Sequence, residues 1–110
     1  MIPKQYLQFI EQVITATEEG KAKWKAVSND NFILKTDKAT VSVSYFSDDD
    51  RELTGYSFRY TNLANNKQAG FVTNHTEEDW NLMNRLYVVA AASANDIDKE
   101  LEDFLLDITK

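Results

Sequence analysis

The stretch VSVSYFSDDDRELTGYSFRY, residues 41–60, decides the fold. Val41, Val43 and Tyr45 alternate with Ser42 and Ser44, and Tyr56, Phe58 and Tyr60 alternate with Ser57, Arg59 and Thr61. A period of two marks a strand with one packed and one solvated face. A strand buried on both faces would instead read as an unbroken apolar run. The two runs flank Asp48, Asp49 and Asp50, so they are expected to pair as an antiparallel hairpin with one open face.

Working outward, residues 32–36 (FILKT) read as a strand set off by turns at 28–31 and 37–38. Residues 64–67 (ANNK) are hairpin-turn chemistry, because asparagine tolerates positive φ. A last strand follows at 70–73. That gives four strands. Residues 21–27 (KAKWKAV) add a fifth if they form an edge strand rather than a continuation of the helix before them, which the sequence leaves open.

Helices flank the sheet in sequence. Tyr6, Ile10, Val13 and Ile14 recur at helical spacing after Pro3, and Gly20 supplies a stop, predicting a helix over 3–18. After Thr76, read as a capping residue with Glu77, Glu78 and Asp79 in the first turn, an apolar seam runs on in steps of three and four. Its members are Trp80, Met83, Tyr87, Ala90, Ala94, Ile97, Leu101, Phe104 and Ile108. The phase holds across Ser93–Asp96, so one long helix, bent there, is expected; the alternative is a second helix capped at Asn95 or Asp96. The fold class is then two-layer α+β, a single domain over 1–110, with both helices on one face of the sheet.

Length raises a packing question. A helix of about 30 residues spans about 45 Å, whereas a six-residue strand covers about 20 Å. The sheet cannot cover such a helix. Residues Ala94, Ile97, Leu101, Phe104 and Ile108 must therefore pack on the first helix, back on the sheet through a bend, or on a second copy as a homodimer contact.

Composition bounds the function. The hydrophobic share of 43% suits a globular chain. There is no cysteine, which excludes disulfides and thiolate metal sites. The opening MIPKQYLQFIEQ lacks the basic start and apolar run of a secretory signal. The apolar run at 86–92 is far short of the roughly 20 residues of a membrane span, so a cytoplasmic location and no membrane contact are expected. The net charge of −6 opposes nucleic acid, whose binding needs a basic footprint. Charge is unevenly spread: residues 21–46 hold five lysines against Asp30 and Asp37, and residues 76–110 hold nine acids against Arg85, Lys99 and Lys110.

Candidate chemistry is sparse. Counted from Asp48 as an EF-hand loop, the sixth position is Leu53 and the twelfth Arg59, where glycine and glutamate are required. The aspartates are read as a solvated hairpin connection. His75 is the single histidine, and zinc normally takes at least three protein ligands. No nucleophile elbow or phosphate-cradling loop is present. No enzyme and no cofactor are expected.

The leading expectation is a non-catalytic, acidic protein-interaction protein, of the inhibitor, immunity or chaperone kind. Its partner-binding candidates are Asp48, Asp49, Asp50 and Glu52, set against a basic protein, and the open-face residues Ser42, Ser44, Ser57 and Arg59. The alternative is a small-ligand or enzymatic domain with a pocket between sheet and helices near Trp24, Tyr45, Tyr56 and Tyr87.

Overall fold

The computed structural model describes residues 2–109, the side chains of Ile97 and Asp98 excepted. Helix α1 (Lys4–Glu18) leads into five strands, β1 (Trp24–Ser28), β2 (Asn31–Lys35), β3 (Ala39–Asp48), β4 (Leu53–Asn62) and β5 (Gln68–Asn74). Helices α2 (Trp80–Ala94) and α3 (Ile97–Ile108) close the chain. The sheet is an antiparallel meander in the order β1-β2-β3-β4-β5, so residues 21–27 contribute an edge strand and not a helical extension.

The long hairpin pairs as the alternation requires. Val43 faces Phe58, Val41 faces Tyr60 and Tyr45 faces Tyr56 on one side, while Ser42 faces Arg59 and Ser44 faces Ser57 on the other. Phe32 and Phe71 extend the apolar row through their partners Val43 and Phe58. Both α1 and α2 lie on that face. Ile10 and Ile14 of α1, Val43 and Phe58 of the sheet, and Met83, Leu86 and Ala90 of α2 are fully buried together. Tyr6 meets the rings of Phe58 and Phe71 at 5.7 and 5.2 Å, and Phe9 meets Phe58 and Tyr60. Thus α1 covers the β4–β5 side, and α2 runs across the strands from Tyr56 to Trp24.

Local chemistry sets the element ends. Gly20, at φ 79°, lets the Lys21 amide donate to Ala16 O and its own amide to Thr17 O, a Schellman stop for α1. Trp24 then ties three elements together. Its indole N–H donates to Thr17 Oγ1 at 3.0 Å, and its amide donates to Ser93 Oγ at 3.0 Å.

Two expectations are corrected. Thr76 does not cap α2, which begins at Trp80. Residues 75–79 form a loop in which Glu77 Oε1 accepts from the Asn74 amide and side chain, and Asp79 Oδ2 accepts from the Ile2 amide at 2.6 Å. These acids hold the loop and the chain start instead of a first helical turn. The single long C-terminal helix is also corrected: it is two helices, because Asp96 takes the left-handed conformation (φ 52°, ψ 46°) between α2 and α3. Aspartate and asparagine enter that region more readily than other side chains. Apolar phase can therefore continue while the axis changes direction.

Candidate interaction surface

Helix α3 takes neither of the intrachain routes expected for it. Among the described residues, α2 is the one element it contacts, and every described side chain from Lys99 to Thr109 is exposed. Leu101, Phe104, Leu105 and Ile108 are 58%, 62%, 56% and 61% exposed. At 100° per residue these four fall on one stripe. The rest of the described helix surface carries Glu100, Glu102, Asp103 and Asp107 against Lys99. Ala94, grouped with them by the sequence, belongs instead to the margin of the core, and the Ile97 side chain lies outside the described residues.

Such an arm is poorly stabilised alone. Isolated helices shorter than about 12–15 residues are marginal in water, and α3 has 12. Burying a large apolar side chain contributes about 1.5–3 kcal/mol when complete. Four side chains a little over half exposed therefore leave about 4–7 kcal/mol for a partner to recover.

The root of α3 sits at a particular corner. Ser93, near the end of α2, accepts from the Trp24 amide at the start of β1. Lys23 and Asp96 line one depression there, with Trp24, Val89 and Ala92. Lys23 also borders a groove of about 560 Å³ on the open face of the sheet, with Lys25, Ile33, Lys35, Asp37 and Leu63. Lys25 pairs with Ile33, Ile33 with Ser42 and Lys35 with Thr40, which places them on the side away from α1 and α2. Leu63 is 42% exposed. Among the described residues none of these three lysines forms an ion pair. The groove thus has a basic rim and an apolar floor.

The other sequence candidates are placed elsewhere. Asp48 closes β3, and Asp49 and Asp50 form the turn to β4. Asp48 accepts from the Arg51 amide and stands 3.8 Å from its guanidinium, while Asp49 accepts from Ser47 Oγ. Glu52 sits at φ 54° in the same turn. This loop lies towards the far end of β3 from the Trp24–Leu34–Val41 row beside the α3 root, about 23 Å along the strand. The acidic loop and the acidic helix are therefore not brought together. Ser42, Ser44, Ser57 and Arg59 do share the open face, the serines half-buried and Arg59 exposed.

His75 Nδ1 is 3.2 Å from the Thr54 amide and from Thr54 O, in a link between β4 and the end of β5. Tyr45, Tyr56, Tyr87 and Trp80 fill the space between sheet and α2 with one another: Tyr56 lies 4.8 Å from Tyr87 and 5.9 Å from Trp80 between ring centres. The Tyr56 hydroxyl donates to Asn84 Oδ1 at 2.7 Å. Burial raises the pKa of Tyr56 and of Tyr87, with neighbouring Tyr87 adding to the first and Asp30 to the second. Trp24 stands apart from this cluster.

Sequence reasoning missed the lysine groove. The surplus of lysines in residues 21–46 was legible, but its convergence beside the α3 root depends on the β1–β2 register and on the Ser93–Trp24 bond. Among the described residues no helix is long and apolar enough to cross a membrane, and no three His, Cys, Asp or Glu side chains group as metal ligands. In comparisons with protein-family models, curated proteins and solved structures, nothing matches the chain.

Proposed function

We propose that the protein is a non-catalytic interaction module that binds another protein chain through α3. The observation that carries this reading is the amphipathic 12-residue helix standing outside its own core with its apolar stripe uncovered. Helix-in-groove recognition uses such a stripe, read as anchors at i, i+3, i+4 and i+7, and Leu101, Phe104, Leu105 and Ile108 supply that spacing. The acids beside the stripe select a groove with a basic rim.

The test is a photo-crosslinking side chain placed at Phe104 and, separately, at Lys99, which at 100° per residue falls opposite the stripe, in the cells that make the protein. Docking through the stripe gives a defined protein adduct from position 104 and little or none from 99. Equal yields at both positions, or none at either, would sink the reading.

A further inference from the structure

We infer that the chain covering α3 is a second copy of this protein, whose lysine-rimmed groove on the open sheet face receives the arm while its own α3 is received in return. This inference rests on the docking role proposed for α3 and names the occupant.

Three observations point to a second copy. First, the arm and the groove have complementary charge and matching apolar content. The arm sequence carries five acids against Lys99 beside an apolar stripe. The groove carries Lys23, Lys25 and Lys35 against Asp37, with Ile33 and Leu63 between. Opposed charges around a desolvated apolar centre both attract and fix register.

Second, the same charges oppose the other symmetric arrangement, in which two α3 helices meet stripe to stripe. That contact would bring two strongly acidic helices side by side, and like charges facing each other across an interface are unfavourable.

Third, arm and groove occupy one corner of the molecule. Lys23 lines both the depression at the α3 root and the groove. A two-fold axis near that corner forms both arm-in-groove contacts at once. Such closure is the usual geometry of homodimers. It also doubles the surface buried, which a single 12-residue helix would leave small beside the roughly 800 Å² per partner of a standard interface.

The chain has no cysteine, which makes a direct test simple. A Phe104→Cys chain and a Leu63→Cys chain are purified, mixed in equal amounts and oxidised, with both checked for native circular dichroism. The expected product is the mixed 104–63 disulfide, several-fold in excess of either like-with-like disulfide. Light scattering of the parent chain should give twice the 12.6 kDa chain mass. The exposed triple variant Lys23→Glu/Lys25→Glu/Lys35→Glu should raise the dimer dissociation constant about tenfold or more, as should added salt.

A predominant 104–104 disulfide overturns the arrangement in favour of stripe-to-stripe pairing. A dimer unaffected by the triple variant overturns it too. A chain that stays monomeric at all concentrations removes the second copy as occupant. In that case a position-dependent adduct from Phe104 to a different protein leaves the docking role of α3 standing, so the two failures are distinguishable.

Discussion

A Cβ on Gly55 would collide with the Thr73 carbonyl oxygen and come within 2.8 Å of Asn74 Cα and 2.9 Å of the Phe46 ring. Two of these neighbours are backbone of the adjacent strand, so neither can swing aside. Gly55→Ala is therefore expected to cost about 2–3 kcal/mol by overpacking, seen as a lower urea midpoint at unchanged slope. An unchanged midpoint would show that β5 yields more easily than its pairing implies. The alternation of β3 and β4 reveals which face each residue takes, but not this closeness, which arises from the Phe46–Gly55–Asn74 row across three strands.

Tyr56, buried, and Tyr87, partly buried, make stability depend on pH in one direction. Their folded-state pKa values lie above the ordinary value near 10. The folded chain therefore keeps these protons where the unfolded chain has begun to lose them. Stability from this source is fully present below the unfolded pKa of about 10 and falls as pH rises through the folded values. Unfolding free energies measured between pH ~8 and ~11 should decline at the alkaline end. Tyr87→Phe should reduce that decline, and an equally steep fall in the variant would locate the effect elsewhere.

At the level of elements, the described side chains of α3 contribute almost nothing to the core from which the helix projects. Removing residues 97–110 is expected to leave the melting temperature of the dilute chain within about 2 °C, since surface changes away from buried features stay within about 0.5 kcal/mol. A drop of 10 °C would mean that α3 packs on its own domain. Strands β2 to β5, α1 and the existence of helical structure after residue 80 were legible from period and turn chemistry, whereas residues 21–27 left edge strand and helical extension undecided. A break at Asn95 or Asp96 was legible only as the alternative to one long helix, because periodicity records which residues share a stripe and says nothing of where the axis points. Its available signal was the Ser93-Ala-Asn-Asp96 tetrapeptide, rich in residues that tolerate the left-handed turn. The start of α2 was misplaced for a related reason: Thr76 with acids after it satisfies the capping pattern, but Glu77 and Asp79 are taken by the Asn74 and Ile2 amides.

For the molecule as a whole, the radius of gyration is 15.5 Å, against about 13 Å for a compact chain of this length. The excess agrees with an arm held away from the body. The sequence left the end of the seam to pack on the first helix, on the sheet through a bend or on a second copy, and the described side chains of α3 take neither intrachain route. The lysine groove was not visible, since it is assembled from β1, β2 and the turn after β4. Amide exchange offers a reading of the intact chain: protection of α3 should rise with protein concentration while protection of α2 stays constant. Concentration-independent protection of α3 would argue against self-association.

The meander order has a kinetic consequence. Every strand pairs with its neighbour in sequence, so the sheet can form by successive hairpins with short loops to close. The contacts of great sequence separation join the first and last thirds: Ile2 to Asp79, 77 residues apart, and Trp24 to Ser93, 69 apart. Their loop-closure entropy is met only when α2 docks beside α1. In stopped-flow chevrons, core truncations at Val43 and Phe58 should chiefly slow refolding, and Ile14→Val should chiefly speed unfolding. Until that docking occurs, the apolar row running from Phe32 to Phe71 is open to water, and crowding of half-folded chains at this stage is the route by which refolding yield would be lost.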